Sequence, residues 1–335
     1  MNPALSIIVP AHNNRETLPR LLESIARQDL SLETIVVDDD SRVPCHDLIK
    51  EYQAQGMELR LICPPRRVYT KEARLIGIEA ARGEIITFAD ADDEIYGKEG
   101  LKDALAKFQE CRPDLLHVST VDMAVGMKRE ILWLAPVADV LRDGNVMRAF
   151  ALPFYRFNVW GKFYRRELWL RLLPQARAFP VQRFCEDMFL FFLYALYAKS
   201  YVGYPVPVYG YHFAPENAHS RAVGRMFATD MIRQYFIPLM REQECPEDLI
   251  QIFDDNLANH TALQATRWLH DFSLTPGHSD VSSSFLAKGV ESMKNTDGRE
   301  RISEHDLLRI LLASNARLAN ALTGMINPSS RLVAW

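Results

Sequence analysis

The sequence predicts an α/β fold in which a mostly parallel sheet is flanked by helices, followed by a helical C-terminal region. Three observations support this prediction. Short apolar runs rich in Ile and Val alternate with stretches of helical periodicity over the first hundred residues. The runs are apolar on both faces, which is typical of strands buried in a parallel sheet. Several runs end in polar residues, as expected at the strand ends where α/β proteins bind ligands.

The predicted elements follow one another in order along the chain. The predicted strands are 5–9, 34–37, 59–62 and 85–88. The first helix is indicated by apolar residues at i, i+3, i+4 and i+7, after a cap at Asn13 or Asn14; these residues are Leu18, Leu21, Leu22 and Ile25. A second helix is predicted at 47–55, before Gly56, and a third at 71–82, before Gly83. Strands that alternate with helices in this way predict a parallel sheet.

Composition and charge exclude several classes of protein. The 335 residues are 48% hydrophobic and 24% charged, which excludes a disordered or collagen-like chain. With 39 basic and 43 acidic residues and a net charge of -4, no overall basic excess points to nucleic acid. The longest apolar run, Phe189–Ala198, is shorter than the ~20 residues that span a bilayer, so no transmembrane segment is expected. Five scattered cysteines without a C-x-x-C pair favour a cytoplasmic location.

Three predicted strands end in distinctive polar segments, which are Pro10–Asn13, Asp38–Ser41 and Asp90–Asp93. Because the carboxyl ends of parallel strands share one edge of a sheet, these segments are expected to lie together. The chain contains neither G-x-G-x-x-G nor G-x-x-x-x-G-K-[ST], which argues against a dinucleotide dehydrogenase and a P-loop kinase. Acidic strand ends without a glycine-rich turn suit anionic groups that are bridged to the protein by a divalent cation.

These segments, in this order and spacing, resemble the inverting nucleotide-sugar glycosyltransferases of family 2, which have the GT-A fold. The resemblance covers the first hundred residues and lies in Ser6–Asn13, Ile35–Ser41, Ala73–Arg74, Gly77 and Ala81–Asp93. More weakly, Trp160–Tyr164, Glu186–Asp187 and Tyr209–His212 are similar to the acceptor half of bacterial polysaccharide and lipopolysaccharide members. Two residues depart from the family pattern. Asp40 replaces the Gly of Asp-Asp-Gly-Ser, and Leu75 replaces the Asn that usually follows Ala-Arg.

The resemblance implies a donor pocket for a nucleotide-sugar, with a UDP-sugar as the favoured donor. Pro10 and His12 would line the nucleotide base pocket. Asp39 would accept a hydrogen bond from a uracil-like N–H, against the alternative of an acid that ends a strand in a turn. Arg74 would lie near the nucleotide.

The resemblance also implies two acidic motifs with separate tasks. In the D-x-D motif, Asp92 would coordinate Mn²⁺ or Mg²⁺ on the diphosphate, and Asp90 would help to hold ribose or metal. The alternative is a solvated turn with a helix cap. Asp187 would be the general base, with Glu186 as the second candidate. The alternative for Asp187 is a helix cap, and the helix dipole is then expected to lower its pKa.

On the acceptor side, Trp160 and Lys162 are the predicted binding residues. Trp160 offers a flat face on which a sugar stacks, and core packing is an equal alternative. Lys162 has the alternative of a solvated basic face. His212 suits either a structural role or contact with the metal or diphosphate.

The predicted organisation has three parts: a nucleotide-sugar-binding half at 1–111, an acceptor-binding half at 112–221 and a helical region at 222–335. A loop is expected at 275–284, and a capping box at Ser303 and Asp306 predicts a further amphipathic helix. Its apolar stripe is expected to pack on the protein's own core or on a second subunit in a homodimer. Peripheral contact with the inner face of the cytoplasmic membrane is a third alternative, which would suit a lipid-linked acceptor.

The prediction that follows is a cytoplasmic, metal-dependent inverting glycosyltransferase that transfers a sugar from a nucleotide-sugar to a saccharide hydroxyl. The departures at Asp40 and Leu75 leave an alternative, a catalytically inactive scaffold that keeps the fold and binds nucleotide or sugar. A sugar-phosphate nucleotidyltransferase ranks last, because its glycine-rich N-terminal loop is not visible in the sequence.

Overall fold

The computed structural model describes residues 3–123, 131–134, 136, 139–142, 145–151, 157–180, 184–212 and 222–273. The chain divides into two compact units, Met1–Ala214 and Pro215–Trp335. The predicted division of the first unit into donor and acceptor halves at residue 111 stays a prediction. The expected loop at 275–284 and the helix expected from Ser303 lie outside the described residues.

The first unit is built on one mixed sheet. Its described strands are β1 (Leu5–Ala11), β2 (Leu32–Asp38), β3 (Leu59–Ile62), β4 (Ile85–Phe88), β5 (Glu94–Ile95), β6 (Leu115–Asp122), β7 (Ile131–Leu134), β8 (Val140–Arg142), β9 (Lys162–Arg165) and β10 (Ser200–Tyr211). Their order across the sheet is β3-β2-β1-β4-β9-β6-β10-β5, with β7 paired to β6 and β8 paired to β10. Strands β1 to β4 pair in parallel, as the sequence predicts. Strand β9 is antiparallel to both of its neighbours, β4 and β6.

Helices cover the sheet and follow the strands in sequence. Those of the first unit are α1 (Leu18–Ala26), α2 (His46–Ala54), α3 (Tyr69–Ala80), α4 (Gly100–Cys111), α5 (Asn145–Ala151), α6 (Arg166–Ala178) and α7 (Glu186–Tyr197). The predicted third helix therefore exists, but it begins and ends two residues earlier than the periodicity indicates. The predicted α/β class, with helices on a Rossmann-like sheet, is confirmed.

Close packing of α3 on the sheet positions the site described below. All seven residues of β1 are buried, and α3 contacts this strand. A Cβ atom at Gly77 would lie 2.3 Å from Cγ2 of Ile8, so only glycine allows this approach of helix to strand. Gly77 therefore brings the other residues of α3 close to the carboxyl ends of β1 and β4.

The described part of the second unit consists of two helices, α8 (Ala222–Glu242) and α9 (Glu247–Ser273). They pack through the rings of Phe236 and Phe253, whose centroids are 5.7 Å apart, and through an ion pair between Arg233 and Asp254. The prediction of a helical region after residue 222 is confirmed for these residues. No helix in the described part of the chain is both long enough and apolar enough to cross a membrane.

Candidate active site

A buried arginine connects the polar end of β4 to the start of α7. Arg74 extends from α3, and its side chain is 3% exposed. Its Nη2 donates to Oδ1 of Asp90 at 2.7 Å, and its Nη1 donates to Oε1 of Glu186 at 3.0 Å. The two predicted acidic motifs, which are far apart in sequence, are thus brought together. Burial of a guanidinium in this way is favourable only because each charge finds a hydrogen-bonded partner of opposite sign.

Asp93 and Tyr209, which sequence reasoning missed, hold the D-x-D turn in place. The Asp90 N–H donates to the Tyr209 hydroxyl at 3.0 Å, and that hydroxyl donates to Oδ2 of Asp93 at 2.6 Å. The N–H of His212 donates to Oδ1 of Asp93 at 2.8 Å. Burial, and then the charge of Asp90, raise the pKa of Asp93 well above its usual range. The available signals were the third acid of Asp-x-Asp-Asp and the alternating tyrosines 209 and 211.

The carboxylate of Asp92 lies near a second negative charge, that of Asp90. Its backbone carbonyl accepts a hydrogen bond from Arg20 of α1. Burial and the neighbouring charge of Asp90 raise the pKa of Asp92. In the described parts of the chain, no side chain donates a hydrogen bond to its carboxylate oxygens. Arg20 and His212 offset this negative charge only in part, since the net shift of the pKa is upward, and a cation would neutralise the rest.

Asp187 is partly buried in the first turn of α7, where its Oδ1 accepts the N–H of Met188 at 2.8 Å. Burial and the adjacent charge of Glu186 raise the pKa of Asp187 to about 7. The sequence prediction of a lowered pKa was wrong, because the cost of burying the charge exceeds the effect of the helix dipole. A carboxyl group with this pKa is suited to exchange a proton near neutral pH.

The predicted nucleotide-base residues lie at the adjoining ends of β1 and β2. Pro10 is buried within β1, beside Val37 of β2. The ring Nδ1–H of His12 donates to the backbone carbonyl of Asp39 at 2.6 Å. The carboxylate of Asp39 accepts the backbone N–H groups of Val68 and Tyr69, at 2.5 and 2.8 Å. Asp39 therefore fixes the segment that leads into α3.

The turns that follow β1 and β2 contain two residues in the left-handed region, Asn13 and Asp40, each with a φ of 60°. The family pattern has glycine at the position of Asp40. The left-handed backbone at this position explains why glycine is usual there. Asp is among the residues that adopt this conformation at modest cost. The two turns are joined, since the N–H of Asn13 donates to Oγ of Ser41 at 2.8 Å.

The two predicted acceptor residues have packing contacts. Trp160 is 6% exposed and stacks on Tyr209 and Tyr211, with ring centroids 4.9 and 5.2 Å away. Lys162 is fully buried, its Nζ donates to the backbone carbonyl of Asn158 at 2.6 Å, and the charge lies 4.8 Å from the centroid of Phe191. A solvated basic face is excluded for Lys162. These contacts do not support direct binding of an acceptor by Lys162, because its ammonium group is enclosed.

The acidic residues could hold a divalent cation only with help from a substrate. No group of three or more His, Cys, Asp or Glu side chains within the described residues is arranged to hold a metal ion. Asp92 and Asp90 would supply one or two carboxylates, a number usual for Mg²⁺ bound together with substrate phosphates and water. Nε2 of His212 lies 3.3 Å from Oε2 of Glu94, and His212 also interacts electrostatically with Asp92.

A sheet with this strand order and acidic residues at the ends of β2 and β4 defines the GT-A class of fold. Residues 6–130 match the profile described as Glycosyl transferase family 2. This part of the chain belongs to that family, which confirms the resemblance stated from the motifs. The predicted enzyme class, a glycosyltransferase, is confirmed for this family domain.

Named relatives lie among bacterial glycosyltransferases. The chain is 26% identical to "Putative glycosyltransferase EpsH" of Bacillus subtilis over 247 residues, covering 68% of this chain and 66% of that protein. It is 33% identical to the poly(ribitol-phosphate) beta-N-acetylglucosaminyltransferase TarS of Staphylococcus aureus, covering 34% of this chain and 20% of TarS. The amylovoran biosynthesis glycosyltransferase AmsB of Erwinia amylovora is 22% identical, covering 44% of this chain and 46% of AmsB. The chain thus spans less than two thirds of the length of each of these relatives.

Solved structures confirm the fold. S. aureus TarS 1-349 in complex with UDP-GlcNAc has a TM-score of 0.59 at 19% identity, covering 96% of this chain and 92% of that one. The mannosyltransferase PcManGT from Pyrobaculum calidifontis, in complex with GDP-Man and Mn2+, has a TM-score of 0.55 at 17% identity, covering 95% of this chain and 87% of that one. The predicted GT-A fold is therefore confirmed.

Proposed function

We propose that the chain is an inverting glycosyltransferase that transfers a sugar from a UDP-sugar to a hydroxyl of a saccharide or lipid-linked saccharide. The process it serves is the cytoplasmic assembly of a bacterial surface polysaccharide. The observation that carries the proposal is the ion-paired bridge from Asp90 through Arg74 to Glu186, because it joins the D-x-D turn and the acidic start of α7 in one site. The poly(ribitol-phosphate) activity of TarS and the role of AmsB in amylovoran biosynthesis support a polymeric acceptor.

At the donor end, Pro10, His12 and Asp39 form the proposed pocket for the nucleotide base. His12 is held in one tautomer, since Nδ1 donates to the carbonyl of Asp39 and Nε2 accepts from Asn13. The carboxylate of Asp39 uses two of its acceptor positions on backbone N–H groups. It retains further lone pairs, so it is able to accept a bond from a uracil N–H.

Asp92, with help from Asp90, is the proposed holder of Mn²⁺ or Mg²⁺. The fit rests on the incompletely offset negative charge at Asp92 and on its pKa, which burial and the charge of Asp90 raise. A bound cation would neutralise negative charge on the departing nucleoside diphosphate. The protein's task is to keep Asp90 and Asp92 ionised and fixed, and the Arg74 and Tyr209 contacts to Asp90 serve this task.

Asp187 is the proposed general base. It removes the proton of the acceptor hydroxyl while that oxygen bonds to the anomeric carbon and the bond from this carbon to the diphosphate breaks. UDP then leaves, and direct displacement inverts the configuration without a covalent enzyme intermediate. A pKa of about 7 leaves a substantial fraction of Asp187 ionised at neutral pH and still gives the carboxylate appreciable basicity.

The first experiment is calorimetric titration of UDP, with GDP and CDP as controls, in the presence and absence of Mn²⁺. We expect UDP binding that requires the ion, weakens more than tenfold in Asp92→Asn and persists in Asp29→Asn, a control at an exposed acid outside the site. Asp187→Asn is expected to bind UDP and to transfer no sugar. Absence of nucleotide binding under every condition would contradict the proposal, and binding without turnover of any UDP-sugar would favour the scaffold alternative.

A further inference from the structure

Helix α3 carries two buried cations one turn apart, and both contact the acceptor side of the first unit. Lys71 is fully buried, and its Nζ donates to the backbone carbonyl of Ala176 at 2.9 Å and to that of Phe179. These carbonyls lie at the end of α6, where helix carbonyls lack partners within the helix. Lys71 therefore anchors the end of α6 to the helix that also provides Arg74.

Arg74 anchors the next helix at its first residue. Its Nη2 donates to Asp90, which follows β4, and its Nη1 donates to Glu186, the first residue of α7. A planar guanidinium can hold two carboxylates from different elements at fixed angles, whereas a lysine ammonium acts as a point charge. The start of α7 is thereby fixed relative to the D-x-D turn.

The adjacent acids Glu186 and Asp187 have different surroundings. Glu186 pairs directly with Arg74, whereas Asp187 receives only the N–H of Met188 in the described structure. Protonation of Glu186 would remove the charge that pairs with Arg74 at 3.0 Å, so this ion pair disfavours proton uptake by Glu186. Glu186 is therefore poorly placed to take a proton from a substrate.

We propose that Arg74 and Glu186 form a positioning pair that fixes the first turn of α7 and leaves Asp187 as the carboxylate that accepts the proton. This inference rests on the proposed function and separates the two predicted catalytic acids. Glu186 is then a positioning residue, and it acts on the reaction through Arg74 and through its charge beside Asp187.

The charged and titratable groups that interact with Asp187 decide how each substitution affects it. They are Glu186 on its own helix, Arg74 on α3, Asp90 after β4 and Tyr164 on β9. Removing the negative charge of Glu186 favours ionised Asp187, and removing the positive charge of Arg74 disfavours it. Glu186→Gln and Arg74→Gln are therefore expected to shift the pKa of Asp187 in opposite directions. The loss of a merely structural contact would not have this effect.

The test compares Glu186→Gln, Arg74→Gln, Arg74→Lys and Asp187→Asn with a matched control, Glu79→Gln. Glu79 also lies on α3 and pairs with Arg177 at 2.8 Å, at an exposed position on the outside of the first unit. One measurement is the pH profile of kcat/KM. The other is the titration of carboxyl ¹³C resonances in labelled enzyme, with Asp187 assigned from its absence in Asp187→Asn.

We expect the midpoint of Asp187 near 7 in the unmodified enzyme, lower by about one pH unit in Glu186→Gln and unchanged in Glu79→Gln. The acid limb of the kcat/KM profile should shift with this midpoint. It should move to lower pH in Glu186→Gln and to higher pH in Arg74→Gln. Arg74→Lys, which keeps the charge, should hold the limb in place while kcat falls at least tenfold. If Arg74→Gln does not fold, Glu186→Gln and Arg74→Lys still decide the outcome.

Two results would overturn the inference. One is loss of all transfer in Glu186→Gln with transfer retained in Asp187→Asn, and the other is an Asp187 midpoint that Glu186→Gln does not move. Failure of the proposed function gives a different result, in which the unmodified enzyme transfers no sugar. The carboxyl titration tests the positioning pair in that case too, because it needs no substrate.

Discussion

Replacing Asp187 by Asn is expected to abolish sugar transfer and, at pH 8, to stabilise the fold. The pKa of Asp187 is raised from an ordinary value of 3.8 to about 7, so the folded state binds this proton more tightly than the unfolded state. Stability therefore falls as the pH rises from about 4 to about 7, and the full cost is present above pH 7. Asn has the same shape, keeps an oxygen for the N–H of Met188 and carries no charge.

The magnitude follows from the difference between the two pKa values. A change from 3.8 to about 7 corresponds to an upper limit of about 4 kcal/mol. Because the side chain is only partly buried and water relaxes around the charge, we expect about half of this, or about 2 kcal/mol. For a unit of this size, that corresponds to an increase in Tm of about 4–8 °C.

The assay is thermal unfolding followed by circular dichroism, for the unmodified enzyme and Asp187→Asn at pH 8 and pH 4. The difference in Tm should be present at pH 8 and should become small at pH 4, where the carboxyl is protonated in the folded state and only partly ionised in the unfolded state. Asp29→Asn, at an exposed acid, is the control and should show no such dependence. A variant that is less stable than the unmodified enzyme at pH 8, or an equal difference at both pH values, would refute the reasoning.

Three further substitutions test the local geometry. Gly77→Ala should destabilise the fold by about 1–3 kcal/mol in urea unfolding, because its Cβ would lie 2.3 Å from Ile8; a neutral result would contradict the close packing. Asp40→Ala should cost about 1 kcal/mol and Asp40→Gly should not destabilise, since the backbone is left-handed there; equal effects would argue against strain. Tyr209→Phe should cost about 1–3 kcal/mol and raise the Mn²⁺ concentration needed for UDP binding, because Asp93 loses one of its two donors and the Asp90 N–H loses its acceptor; an unchanged Mn²⁺ requirement would remove Tyr209 from the site.

The parallel part of the sheet could be predicted from the sequence because its signals are local. Each of β1 to β4 is a short run rich in apolar residues, three of them end in a polar segment, and the helices between them have their own periodicity. The position of β9 could not be predicted in this way. Its antiparallel pairing with β4 and β6 joins segments far apart in the chain, and nothing in residues 162–165 specifies those partners.

The only site residues that could be placed from the sequence are charged residues at a predictable position, the end of a buried strand. Asp90 and Asp92 follow a buried strand, so their place at the sheet edge was evident from the sequence. Lys162 was misjudged because a lysine in a short strand suggests an exposed charge, while its enclosure depends on the carbonyl of Asn158 and the ring of Phe191. The contact between Tyr209 and Asp93 spans 116 residues, so the local signals at each residue do not show that the two meet.

The sequence prediction gave the wrong direction for the pKa shift of Asp187, because burial has a larger effect on the pKa than the helix dipole. A helix N-terminus stabilises a negative charge by typically 0.3–1 kcal/mol, which lowers a pKa by less than one pH unit. Burial of a carboxyl raises its pKa by up to about 3–5 units, and a like charge adds to this effect. The sequence shows that Asp187 begins a helix, but it does not show how far that helix start is buried.

The acids of the D-x-D turn and of the start of α7 differ in their surroundings because a single arginine lies between the two motifs. Arg74 has a single guanidinium, which already shares its one positive charge between Asp90 and Glu186 and makes no ion pair with Asp92 or Asp187 in the described structure. The pKa values of Asp92 and Asp187, the two acids left over, are both raised. A cation would neutralise the first, and an acceptor proton the second. One ion-paired arginine therefore leaves one acid at each end of the proposed site, where the proposed reaction places a metal and a proton.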